Sequence, residues 1–184
     1  TPDLTLSPKH VLTHGTLHLF RSLIVQESTL YEHCQLTNYS RQPIEFQLEY
    51  RFSADYKDVF EVRGAKRPHR GDDLPSKVSS QSVLLGYRGL DDRERHTNIE
   101  FDGNVCQLEQ DHCVICVRLD VGAEMTLHAI VSCTNGKSKS PKRTHAEVVD
   151  DSSSRLRLED GDRVEVVTSN EQFNEWIDRS VADL

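Results

Sequence analysis

Ile44, Phe46, Leu48, Tyr50 and Phe52 alternate without a break against Glu45, Gln47, Glu49 and Arg51. A period of two puts apolar side chains on one face of a strand and charged ones on the other, so residues 44–52 predict a half-buried β-strand. Ala123, Met125, Leu127, Ala129 and Val131 repeat the pattern, with Glu124, Thr126, His128 and Ser132 facing the other way. Further strands are expected over 16–26, 28–37, 81–87, 97–101, 113–121 and 163–168. Asn38, Ser40 and Pro43 are turn formers between two apolar runs and predict a hairpin there. "DVGAE" and "EDGDR" supply tight turns. Many short strands joined by polar turns imply an all-β fold, an antiparallel β-sandwich, rather than βαβ units. Residues 63–77 and 135–154, rich in charge, Ser, Pro and Gly, read as long surface loops.

The last sixteen residues change period. Ser169 or Asn170 suits a helix cap, Glu171 and Glu175 suit the first turns, and Phe173, Trp176, Ile177 and Val181 recur at helical spacing. The expected organisation is a β-sandwich domain over 1–168 and a short C-terminal helix or linker over 169–184. That helix carries the only tryptophan. It either folds back on the sandwich or leads into a following domain.

A chain of 184 residues holds one domain, or a domain and a tail. The net charge of −8 argues against a nucleic-acid partner, whose affinity comes from Lys and Arg neutralising phosphates. No apolar run approaches the roughly 20 residues that span a bilayer. The opening "TPDLTLSPKH" is neither a secretory signal nor an initiator-Met start, so the chain reads as an excised piece of something longer. Its five cysteines, Cys34, Cys106, Cys113, Cys116 and Cys133, lack the even, regular spacing of a disulfide framework. A reducing compartment, and hence a cytoplasmic location, is the expectation.

Several constellations invite chemistry and do not sustain it. Cys113 and Cys116 form a C-x2-C preceded by His112, but residues three apart on a strand face opposite ways and no second ligand pair follows. Buried thiols are expected instead. His10, His14 and His18 are spaced by four, yet Gly15 and the local alternation place them on strand and turn. Gly136, Lys137 and Ser138 resemble the end of a phosphate loop, but Val131 stands where its first glycine belongs. No metal ligand, cofactor or catalytic triad is nominated. What remains is "ADYKDVFEVRG" (54–64) and the acidic pairs Asp72–Asp73 and Asp91–Asp92. If 54–64 is a loop and then a strand, Asp55 and Asp58 can accept backbone N–H groups or an arginine, Arg63 can clamp a carboxylate, and Gly64 allows a turn of positive φ.

"SADYKDVFEVRG", followed by a basic loop and "YRGLDDRERHTNIEF", resembles the N-terminal domain of bacterial and archaeal glycogen debranching, or amylo-alpha-1,6-glucosidase-like, enzymes. The flanks "TPDLTL", "FRSLIVQESTLYEHCQLTNYSRQPIEFQLEYRF" and "TSNEQFNEWIDRSVADL" extend the resemblance over nearly the whole chain. Tyr56 and Val59 stand where that family would have Phe and Ile. The resemblance implies a super-sandwich-like β domain preceding an (α/α)-barrel that carries the catalytic carboxylates, so no residue here is expected to be catalytic. It marks Asp55, Asp58, Phe60, Glu61, Arg63 and Gly64 as a domain-interface or cleft-rim motif and makes the barrel the partner of the terminal helix. Two alternatives stand beside this accessory role. One is a carbohydrate-binding module for α-glucans, with Tyr31, Tyr56, Tyr87 and Trp176 as stacking rings. The other is an immunoglobulin-like protein-interaction domain.

Overall fold

The computed structural model describes residues 4–7, 10–136, 143–160 and 168–182. In chain order the elements are β1 (Leu4–Ser7), β2 (His10–Leu12), β3 (Leu17–Gln26), β4 (Thr29–Asn38), β5 (Ile44–Arg51), α1 (Val59–Val62), β6 (Asp72–Val78), β7 (Ser82–Arg88), β8 (Glu94–Phe101), β9 (Val105–Leu108), β10 (His112–Leu119), β11 (Glu124–Asn135), α2 (His145–Asp160) and α3 (Glu171–Ala182). The chain divides into two compact units, Thr1–Val148 and Val149–Leu184. No helix among the described residues is long and apolar enough to cross a membrane.

The first unit is an all-β sandwich with antiparallel pairing throughout its described strands. One sheet has the order β3-β4-β11-β8-β7-β6 and the other β5-β10-β9, while β1 and β2 pair separately. The alternation at 44–52 works as expected: Ile44, Phe46, Leu48 and Tyr50 lie opposite Leu119, Val117, Ile115 and Cys113. Those four β10 residues pack with Cys34, Leu36, Ile99, Phe101, Leu127 and Ala129 of the larger sheet to form the core. Truncating Ile115 to alanine in such a setting costs about 2–5 kcal/mol.

The expected hairpin at 38–43 is instead a crossover between sheets, because β4 pairs with β3 and β11 whereas β5 pairs with β10. The "DVGAE" turn crosses too, from β10 to β11. Asn38, fully buried, holds both crossings. Its Nδ2 donates to the carbonyls of Gln42 (2.9 Å), Leu119 (3.1 Å) and Asp120 (3.1 Å), and its Oδ1 accepts the Ser40 N–H at 2.8 Å. Its carbonyl accepts the Gly122 N–H at 3.0 Å.

Three further expectations are corrected. The loop at 63–77 ends in an edge strand, β6, irregular between Leu74 and Lys77; Pro75, which cannot donate to a ladder, sits in that irregularity. The loop at 135–154 contains the start of α2, where Thr144 and Glu147 form a reciprocal cap: the Thr144 N–H donates to Glu147 Oε2 (2.7 Å) and the Glu147 N–H to Thr144 Oγ1 (3.3 Å). Cys116 is not a thiol. As the strand period requires, Cys113 points into the core and Cys116 away from it, but Cys116 is disulfide-bonded to Cys106 on β9, with Cα atoms 5.8 Å apart. A register shift between Val114 and Ile115 places β9 so that these two cysteines meet.

In the second unit, α3 starts where the sequence indicates. Asn170 Oδ1 accepts the Phe173 N–H at 3.2 Å, and Trp176 is exposed. The expected strand at 163–168 and the "EDGDR" turn fall largely outside the described residues.

Candidate functional site

The corner between β5 and β6 is built by short-range polar contacts. Asp55 Oδ1 accepts the Lys57 N–H at 3.1 Å, and its Oδ2 pairs with Lys57 Nζ at 3.3 Å. Tyr56 follows in the left-handed region, φ 48°, a conformation that a bulky residue holds only when its surroundings fix it. Its ring stacks on Tyr87, with centroids 5.2 Å apart and planes 9° from parallel. Asp58 then caps α1: Oδ1 accepts the N–H groups of Phe60 (2.8 Å) and Glu61 (2.9 Å), and Glu61 Oε2 accepts the Asp58 N–H at 3.1 Å.

The helix lasts one turn and closes on Gly64, φ 97°. The Gly64 N–H donates to the Glu61 carbonyl (3.0 Å) and the Ala65 N–H to that of Phe60 (2.8 Å). This is the Schellman termination, which requires a left-handed residue at the position Gly64 fills. The segment therefore becomes a capped helical turn, not the loop-then-strand that its composition implies.

The acids also find other arginines than the sequence suggests. Arg67 donates to Asp58 Oδ2 from Nε (2.9 Å) and Nη2 (2.6 Å), with its guanidinium 5.7 Å from the Phe60 ring centroid. Arg70 Nε pairs with Glu61 Oε1 at 3.2 Å, and Nη2 donates to the Asp55 carbonyl at 2.5 Å. Arg63 is the C-cap residue and is exposed. The loop then passes Gly71, whose N–H donates to the Tyr87 hydroxyl at 2.7 Å. A Cβ at Gly71 would overlap the Arg88 carbonyl oxygen, at 1.9 Å, so the chain can enter β6 here only as glycine.

Electrostatics follow this geometry. The Glu61 N–H and then Arg67 hold the Asp58 carboxyl below the usual range, and the Lys57 N–H does the same for Asp55. Burial pushes the Tyr56 hydroxyl up. Both acids are therefore held as anions by structural partners. What the corner presents outward is apolar: Val59, Phe60 and Val62 are 55%, 59% and 71% exposed. Beside Tyr56 lies an open cleft of about 490 Å³, lined by Leu74 and Leu85 together with Asp73, Ser76 and Gln110.

The remaining nominated residues scatter. Tyr31 and Tyr87 are buried, and Tyr87 shares a face with Tyr56. Asp72 and Asp73 lie on β6. Asp91 is paired with Arg95 at 2.8 Å, which lowers its pKa to about 2, and Asp92 occupies the left-handed turn between β7 and β8. Trp176 belongs to the second unit. On the face of the larger sheet turned away from the sandwich core, three histidines that the sequence reading passed over, His33, His128 and His145, come together.

Residues 1–130 match the family model for the N-terminal domain of (some) glycogen debranching enzymes. A solved protein from the human microbiome described as a kojibiose phosphorylase superposes with a TM-score of 0.50 at 13% identity, over 80% of this chain and 20% of that one. A polysaccharide lyase gives 0.42 at 15% identity, over 73% of this chain and 23% of that one. The chain thus spans about a fifth of the length of these two solved neighbours. No curated protein matches it.

Proposed function

The chain belongs to the family of N-terminal domains of glycogen debranching enzymes, and on that premise we propose that it is a non-catalytic accessory domain that docks on a catalytic domain of the same polypeptide and shapes the rim of its cleft. The observation that carries this is the α1 corner. Four charged side chains, Asp58, Glu61, Arg67 and Arg70, are spent on rigidifying one helical turn, and that turn holds Val59, Phe60 and Val62 out to solvent. Exposed apolar side chains on a locked backbone suit an interface, because little conformational entropy is lost when they are covered. The domains of the proposal are the sandwich over 1–168 and a helical linker over 169–184 leading towards an (α/α)-barrel with its own acid and base.

The test uses the longer polypeptide. Replacing Val59, Phe60 and Val62 together by Thr, Ser and Thr is expected to leave the sandwich folded by circular dichroism. It should accelerate proteolysis between the domains and lower glucose release from branched α-glucan. Unchanged proteolysis and unchanged turnover would remove the docking role. The 184-residue chain alone is expected to release no glucose; release that vanished in an Asp55→Asn/Glu61→Gln variant would make it an enzyme.

A second reading, direct contact with an α-glucan, is favoured by one observation. The cleft beside Tyr56 combines the apolar side chains of Leu74 and Leu85 with Asp73, Ser76 and Gln110 as hydrogen-bonding groups. Titration with maltooligosaccharides up to millimolar concentration decides it, and the absence of binding would dismiss it.

A further inference from the structure

His33 on β4 and His128 on β11 are direct partners in the antiparallel register, so their side chains leave the same face of the sheet side by side. His33 Nδ1 and His128 Nε2 are 3.2 Å apart. His145, in the first turn of α2, lies over them: its ring stacks on His33 at 5.0 Å and 27°, and its centroid is 6.0 Å from that of His128. One ring nitrogen from each of the three lies within 4.8 Å of the others, and all three residues are half-buried.

Each nitrogen carries separate information. His128 Nδ1 is 2.6 Å from Asp102 Oδ2, and Asp102 Oδ1 accepts the His128 backbone N–H. The carboxylate therefore keeps a proton on Nδ1 and leaves a lone pair on Nε2, directed at His33. A carboxylate behind a histidine is the usual outer partner of a metal-binding imidazole, fixing its tautomer and ring orientation. His145 Nε2 is buried with no hydrogen-bond partner, a condition that polar atoms in folded proteins rarely tolerate. A bare hydrogen bond between His33 and His128 accounts for the first pair and leaves His145 unexplained.

A divalent ion accounts for all three. Two imidazole nitrogens about 2.0–2.1 Å from a tetrahedral zinc ion stand about 3.3–3.4 Å apart, close to the 3.2 Å observed. We propose that His33 Nδ1, His128 Nε2 and His145 Nε2 form a binding site for a divalent transition-metal ion of the zinc class, with Asp102 orienting His128. Imidazole donors select zinc, nickel, cobalt and copper over magnesium and calcium. Three protein ligands leave one tetrahedral position for water or an exogenous donor. The ion would pin the first turn of α2 to the sheet, across a separation of 112 residues between His33 and His145. The site lies on elements other than the α1 corner and does not depend on the docking proposal.

The test is titration of the metal-stripped 184-residue chain with Zn²⁺, and with Co²⁺ for its visible spectrum. One equivalent is expected to bind, raise the thermal midpoint, and give a cobalt spectrum of nitrogen and oxygen ligation without a thiolate band. His145→Gln, which leaves the sheet intact, should weaken binding at least about 100-fold, and Asp102→Asn about 10–100-fold. A His14→Gln/His18→Gln control should bind as the parent does. Absence of stoichiometric binding to the parent chain, a thiolate band, or zinc affinity unchanged in both His145→Gln and His33→Gln would each overturn the proposal.

Discussion

Asp58 divides its carboxylate between two tasks: Oδ1 takes the Phe60 and Glu61 N–H groups, and Oδ2 takes both donors of Arg67, at 2.9 and 2.6 Å. The two oxygens are separable by substitution. Asp58→Asn keeps a capping carbonyl and loses the acceptor for Arg67, whereas Asp58→Ala loses both. Thermal denaturation is expected to rank them parent, then Asn, then Ala, with Ala lower than parent by a few degrees, the typical scale of a lost cap. An Asn variant as unstable as Ala would show that Arg67, not the cap, holds the turn. In a longer polypeptide of the kind proposed above, Asp58→Asn is expected to retain turnover, since the acid belongs to a cap.

The acid limb of stability follows from the same pairs. Asp58 and Asp91 have folded pKa values below those of an unfolded carboxylate, Asp91 at about 2 through Arg95. A depressed group contributes stability that is fully present above the unfolded value of about 3.9 and lost as pH falls through the folded value. The urea midpoint of the parent should exceed that of Asp91→Asn near neutrality, and the gap should close between about pH 4 and pH 2. A gap that persists below that window would mean that Asp91 acts through something other than its charge.

Among the ion pairs of the described residues, that of Arg21 with Glu32 holds the most buried carboxylate. Nε and Nη2 of Arg21 lie 2.7 and 2.9 Å from the two oxygens of Glu32, whose side chain is 8% exposed while that of Arg21 is 53%. Arg21→Met strands a buried carboxylate and is expected to cost about 1–3 kcal/mol. An Arg21→Met/Glu32→Met double variant should recover much of that loss, because an apolar pair has no charge to desolvate. Urea denaturation of the four-membered cycle measures this, and additive losses would contradict it.

Thiol chemistry checks the Cys106–Cys116 bond. Cys34, Cys113 and Cys133 are free, and burial raises the Cys113 thiol to about 11. Alkylation of the unfolded chain should modify three thiols without reductant and five with it. Five without reductant would leave the pair open, as a cytoplasmic environment would keep it; three would tell against the cytoplasmic location that the cysteine spacing suggests.

The longer strands, β3, β4, β5, β7, β8, β10 and β11, were legible because each depends on a period of two within a few residues, whereas the short β1, β2 and β9 offer too few positions to show one. Pairing was not: nothing in "TNYSRQP" distinguishes a hairpin from a crossover, since that depends on where Leu119 and Asp120 end up. β6 hid behind Pro75 and its exposed charges. Two helix starts were written locally, as Asp58-x-x-Glu61 and Thr144-x-x-Glu147, and a search for reciprocal caps would have found both. The partners of the corner acids were less accessible, because Arg67 and Arg70 stand nine residues beyond Asp58 and Glu61 with no periodic relation. His33, His128 and His145 come from three distant segments and meet only once β4 and β11 are in register.

Asn38 ties together both links between the two layers of the sandwich. Its amide belongs simultaneously to the link that leaves the larger sheet and, through Leu119, Asp120 and Gly122, to the link that returns to it. Loosening either link exposes the same donors and carbonyls, so neither sheet has a private route to local opening at this end. The two links between the layers are thereby joined through one planar side chain, so a substitution at Asn38 disturbs both at once.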